Sequence, residues 1–145
     1  MSSETFKRHL SRLRSPLAAH SPDTICDFIP QHTYLNGQKF SFAGHEYQQE
    51  ILNDPAQTIV IVKSAQLGIS EMSARLALAR CALIDGFSTI YTLPSASAAQ
   101  SFMKTRITPV VDSSPYLSEL VSGDVDNSSV KRFSNSYLYL KGCQV

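Results

Sequence analysis

Apolar positions along this chain fall into two kinds of run, one fit for strands and one for helices. "TIVIV" (58–62) is five β-branched residues in succession, the pattern of a strand buried on both faces. The turn "KSAQLGIS" (63–70) comes next and leads into a helix expected over 69–84. Its apolar residues Met72, Leu76, Leu78, Ala79, Cys81, Leu83 and Ile84 lie on several faces, which predicts burial on more than one side. Gly86 is placed to cap the C-terminus. "FSTIYTLP" (87–94) predicts a second buried strand, with Ser95 as N-cap of the helix that opens "ASAAQSFMKTRI". Pro109 and Pro115 are expected to break the next stretch, leaving a helical turn or two in "PYLSELV". "KRFSNSYLYLKG" (131–142) predicts a hairpin around Ser134, Asn135 and Ser136. Strand, helix, strand, helix at this spacing predicts an α/β fold with a parallel, doubly wound sheet.

Upstream, Phe6, Leu10 and Leu13 form one helical stripe over residues 4–14, ringed by Lys7, Arg8, Arg12 and Arg14. This basic amphipathic helix either packs on its own domain or docks a partner or DNA. Residues 15–37, with Pro16, Pro22, Pro30 and Gly37, read mainly as irregular connection with room for one short helix. "KFSFAGHEYQQEILND" then predicts a short strand, a turn at Gly44 and a helix from about His45 to Asn53, stopped by Asp54-Pro55. The expected division is a helix and linker over 1–37 and a core domain over 38–145.

The bulk numbers narrow the choice of function. With 145 residues, 43% apolar and 17% charged, the chain can bury one core. Its formal net charge of +1 gives no global attraction to nucleic acid, so any such contact must be local. Three widely spaced cysteines (Cys26, Cys81 and Cys143) form neither a disulfide framework nor a zinc site and favour a reducing compartment. Cys81 reads as a small core residue. No apolar run approaches the ~18 residues that a membrane span requires. Asp124 and Asp126 in "GDVDNSS" look superficially like a metal pair, but their setting predicts a solvated polar turn.

The loop at 63–70 carries the candidate chemistry. A phosphate cradle needs converging backbone N–H groups, a helix N-terminus behind them and a cation. Against the pattern G-x-x-x-x-G-K-[ST], Gly68 matches the second glycine and Ser70 the hydroxyl that ligates Mg²⁺. Lys63 stands where the first glycine belongs, and Ile69 where the lysine belongs. Lys63 ends an apolar run at the point where ligands bind open α/β sheets, and its long stem can reach a phosphate from the far side. The bland alternative is a generic strand-to-helix turn with Lys63 merely exposed.

Taken together, these motifs resemble the N-terminal part of the ATPase domain of large terminase subunits, the DNA-packaging motors of tailed phages, in their lambda-like branch. "KSAQLGIS" resembles that branch's variant Walker A, which also opens with lysine. "EYQQEIL" (46–52) resembles its adenine-binding Q motif. "IYTLPSASAAQSFMKTRITPVVDSSPYL" (90–117) is similar to the segment after the second core strand, and "FSNSYLYLKG" (133–142) to the stretch before the Walker B strand. The likeness covers about residues 40–142.

The resemblance implies a P-loop NTPase-type parallel sheet flanked by helices, as a partial domain ending before Walker B. It implies ATP and Mg as cofactors. Tyr47 would meet the adenine face and Gln48 its polar edge. Lys63 would contact phosphate, the backbone of Ser64, Ala65, Gln66, Leu67, Gly68 and Ile69 would cradle it, and Ser70 would hold Mg²⁺. Gln66 stands where many terminases carry arginine, and Ile69 cannot neutralise phosphate. No catalytic residue is expected within the fragment, so these 145 residues alone should hydrolyse ATP poorly or not at all. Double-stranded DNA, a small terminase subunit and a portal protein are the implied partners, with homo-oligomers in the assembled motor, no membrane, and the bacterial host's cytoplasm as the location. A helicase-like ATPase fragment, or a non-catalytic interaction module docking through its basic N-terminal helix, are the alternative readings.

Overall fold

The computed structural model describes residues 22–143; the predicted helix over 4–14 lies outside them. Helix α1 (Pro22–His32) is followed by a small hairpin, β1 (Tyr34–Leu35) and β2 (Gln38–Lys39), then by α2 (Tyr47–Asn53) and the long α3 (Ile69–Leu83). Strand β3 (Ser88–Leu93) leads into α4 (Ala96–Phe102), a π-helical turn (Met103–Ile107), α5 (Thr108–Ser113) and α6 (Pro115–Leu120). Strands β4 (Val121–Asp126), β5 (Val130–Phe133) and β6 (Ser136–Gly142) complete the chain.

The sheet is mixed, in the order β3-β6-β5-β4. Only β3 and β6 run parallel, with Ile90 opposite Tyr139 and Leu93 opposite Gly142. β6, β5 and β4 form an antiparallel meander that contains the predicted hairpin, so the expectation of a parallel, doubly wound sheet is met at β3–β6 and corrected elsewhere. The cause is local. Ser134 (φ 52°) and Asn135 make a two-residue turn that sets Phe133 opposite Ser136, and so short a connection permits only an antiparallel return.

The second correction concerns residues 58–62, which form no strand. Val60 is 83% and Val62 96% exposed. β-branched composition favours a strand only where neighbours take up its backbone hydrogen bonds and cover its side chains, and among the described residues no strand pairs with this segment. Among the described residues β3 is an edge strand instead of a buried one: Thr89, Tyr91 and Leu93 are partly covered, while Ile90 lies 67% exposed.

α3 is the axis of the core. Met72, Ala74, Ala77, Leu78, Ala79 and Cys81 are all buried, so the predicted burial on several sides holds. Ile25, Phe28 and Ile29 of α1 join the same core as Phe40, Phe42, Leu138 and Leu140. Fully burying a side chain of leucine size contributes about 1.5–3 kcal/mol, so α3 is firmly anchored. Cys81 behaves as expected of a core residue; its Sγ donates to Thr89 Oγ1 at 3.4 Å, and burial pushes its thiol pKa up.

Ser95 caps α4 as predicted, its Oγ accepting from the Ala98 N–H at 3.2 Å. Pro109 does not break the helical run. The backbone widens just ahead of it, so that Thr108 N–H reaches back to the Met103 carbonyl, five residues earlier. Proline has no N–H to offer the carbonyl four residues before it, and the wider turn absorbs that mismatch. The 121–126 segment is strand β4, not a polar turn, and Asp126 ion-pairs with the buried Lys131 Nζ. No cluster of three or more His, Cys, Asp or Glu placed to hold a metal exists among the described residues.

Candidate phosphate-binding site

Residues 63–70 run from the exposed 58–62 segment into the first turn of α3. Gly68 is the helix N-cap, in the left-handed conformation (φ 68°, ψ 6°), and its carbonyl accepts from the Met72 N–H at 2.9 Å. Gln66 is also left-handed, at φ 64°. Ser70 is exposed in the first turn, where the unsatisfied N–H groups of a 15-residue helix concentrate partial positive charge. Such a terminus favours an anion.

Lys63 is exposed, and its Nζ donates to the neighbouring Ser64 carbonyl at 3.1 Å. Ser64, Ala65 and Gln66 are exposed as well, while Leu67, Gly68 and Ile69 are half-buried. Ile69 packs against the core, and α2 covers Leu67 and Gly68. Tyr47 Oη donates to the Leu67 carbonyl, and Gln48 Nε2 donates to the same oxygen at 3.3 Å. Gln48 is buried, at 2% exposure, and among the described residues its Oε1 has no partner. Thus the structure brings Tyr47 and Gln48 onto the loop itself, across separations of 20 and 19 residues. His45 Nδ1 lies 3.2 Å from the Tyr47 hydroxyl. Glu46 Oε1 accepts from the Gly44 N–H at 2.9 Å, a bond that holds the Glu46 carboxyl below its ordinary pKa.

Sequence reasoning missed the network around Glu71 and Arg75 of α3. Arg75 is fully buried. Its guanidinium reaches Glu71 Oε2 at 2.5 Å, Thr33 Oγ1 at 3.2 Å and the Tyr34 carbonyl at 2.8 Å, and lies 4.4 Å from the Phe40 ring centre. Burial lowers the Arg75 pKa, and Glu71 counteracts that. The other oxygen of Glu71 pairs with Arg106, carried by the π-helical turn. A cleft of about 330 Å³ beside this network is bordered by Asn36, Arg75, Arg106 and Ser113 among others, and by none of residues 63–70. The i, i+4 spacing of Glu71 and Arg75 was the one available signal; Arg106, 35 residues away, left none. On β3, the Tyr91 hydroxyl lies 2.8 Å from Ser73 Oγ, which itself donates to the Ser70 carbonyl at 3.1 Å.

These residues suit a triphosphate better than a resident metal. The helix terminus and glycine turn offer backbone donors, and Lys63 is a cation within the same loop. For Mg²⁺ the loop offers the Ser70 hydroxyl, and Glu71 next to it is already committed to two arginines. A magnesium ion that keeps its waters and takes phosphate oxygens fits such a sparse protein shell.

Fold and loop define a class: a mixed α/β domain with a buried helix whose N-terminus opens to solvent behind a left-handed glycine. Within that class the chain belongs to the family of the phage terminase large subunit gpA, ATPase domain, whose sequence model matches residues 41–145. It is therefore part of a phage DNA-packaging protein, and membership of an ATPase domain implies a nucleotide ligand. No curated protein and no solved structure matches the chain. Among the described residues, no helix is long and apolar enough to cross a membrane.

Proposed function

We propose that this chain binds MgATP at residues 63–70 and forms the N-terminal part of the ATPase motor that packages double-stranded DNA into phage procapsids. The observation that carries this reading is the conjunction at Gly68: a left-handed N-cap at the start of the buried helix α3, inside the stretch matched by the terminase ATPase family. The family match also favours a packaging motor over a helicase.

On this reading Lys63 swings from the Ser64 carbonyl to phosphate, and the backbone of Ser64, Ala65, Gln66, Leu67, Gly68 and Ile69 cradles it. Ser70 would hold the magnesium ion, and Tyr47 and Gln48 would serve the nucleotide from α2. Bound MgATP supplies the γ-phosphate that the whole motor transfers to water. These loop and α2 residues bind and orient; none is a general base. Small terminase subunit, portal protein and DNA are the proposed partners, in a homo-oligomeric assembly working in the cytoplasm of a bacterial host.

Titration of the chain with a fluorescent ATP analogue and Mg²⁺ tests this. Lys63→Ala should weaken binding about tenfold, the loss of one charge-assisted contact. Gly68→Val should abolish it. An absence of binding by the wild-type chain would remove the nucleotide reading and favour an interaction module.

A further inference from the structure

We infer that Tyr47 and Gln48 are positioning residues for the phosphate loop, fixing the peptide between Leu67 and Gly68 and thereby setting affinity for a triphosphate whatever base it carries. This rests on the proposed nucleotide reading of residues 63–70 and deepens it. The family resemblance implies that the two side chains meet the adenine ring. Their hydrogen bonds point elsewhere.

A carbonyl oxygen has two lone pairs. On Leu67 one is taken by the Tyr47 hydroxyl and the other by Gln48 Nε2. A trans peptide is planar, so its C=O and the following N–H point in opposite directions. Holding the Leu67 carbonyl toward α2 therefore turns the Gly68 N–H away from α2. That N–H sits at the α3 terminus, where the helix favours an anion.

The space around Gly68 matches this arrangement. A Cβ there would stand 2.9 Å from Gln48 Nε2, so the amide occupies the place that a side chain would need. Gln48 is buried and its Oε1 is unpartnered, so among the described residues its amide group bonds only the loop. Tyr47 is held from both sides, by Leu67 and by His45 Nδ1 at 3.2 Å, with its ring edge-on to the imidazole. Both side chains thus act through the loop. A base-contacting pair would leave polyphosphate binding untouched when it is altered.

The experiment compares wild type, Tyr47→Phe and Gln48→Leu against three magnesium-loaded probes: ATP, GTP and inorganic tripolyphosphate. Each probe competes with a fluorescent ATP analogue. Each substitution should weaken all three by a similar factor, about 5- to 10-fold for one lost hydrogen bond. Circular dichroism should remain that of wild type. Weakening confined to ATP, or none at all, overturns the inference. A second measurement needs no ligand: the ¹⁵N-labelled Gly68 amide should shift and exchange faster in Tyr47→Phe while core amides such as Leu78 hold still. If wild type bound no probe, the nucleotide reading would fall by itself. The positioning role would then stand or fall on that amide, and an unchanged Gly68 resonance would refute it.

Discussion

Gln48 and Gly68 occupy one space: the amide nitrogen of the first stands where a side chain on the second would have to go, 2.9 Å from the ideal Cβ position. Gly68 is also left-handed, at φ 68°. Gly68→Ala should therefore cost about 1–2 kcal/mol from the backbone conformation alone, and more if the Gln48 amide cannot move aside. A thermal melt should show a drop of roughly 2–8 °C for a domain of this size. An unchanged melting temperature would mean that the loop relaxes freely, against the packing of Gln48 on Gly68.

Glu71 holds two arginines, one buried and one half-exposed. Removing it leaves the Arg75 guanidinium charged inside the core. Glu71→Ala should destabilise by about 3–5 kcal/mol, as breaking one side of a buried pair does. Arg106→Ala, which removes the half-exposed partner, should cost no more than about 1 kcal/mol. Urea unfolding of the two variants checks the ordering, and equal losses would contradict it.

Cys81 and Cys143 differ in burial, and their chemistry should differ with it. Cys143 is exposed. Cys81 is 3% exposed and burial raises its thiol pKa. A thiol-reactive dye should label Cys143 at least about 100-fold faster, because Cys81 must await an opening of about 3 kcal/mol or more. The raised pKa also sets a pH dependence. The folded state keeps the Cys81 proton when the unfolded state has lost it, so stability falls as pH rises through the thiol range, from about 8.5 upward. Cys81→Ala should flatten that fall.

The exposed run Ile59, Val60, Ile61, Val62 is a β-prone apolar segment with no partner strand among the described residues. Such segments template association between chains. Light scattering should show self-association growing with concentration, and Val60→Lys with Val62→Lys should suppress it. Because both side chains are almost wholly exposed, the double variant should melt within about 0.5 kcal/mol of wild type. Monodisperse monomer from the unaltered chain would oppose this expectation.

Where local chemistry decides an outcome, the sequence was a sound guide. The Ser95 cap, the stop of α2 at Asp54-Pro55, the hairpin around Ser134 and Asn135 and the buried α3 each depend on residues within a few positions. The motif order also sufficed to place the chain among phage terminase ATPase domains, because residue spacing along the chain is itself the family's signature.

Tertiary structure alone decided which strands pair and which side chains meet. "TIVIV" and "STIYTL" both read as strands, yet among the described residues the second alone has a neighbour, because strand formation depends on a partner whose position no local pattern encodes. For the same reason Gln48 meets Leu67 and Arg106 meets Glu71: those contacts arise from how helices pack around α3, at separations of 19 and 35 residues. The chain's chemistry fixed which groups are available, and packing fixed which of them touch.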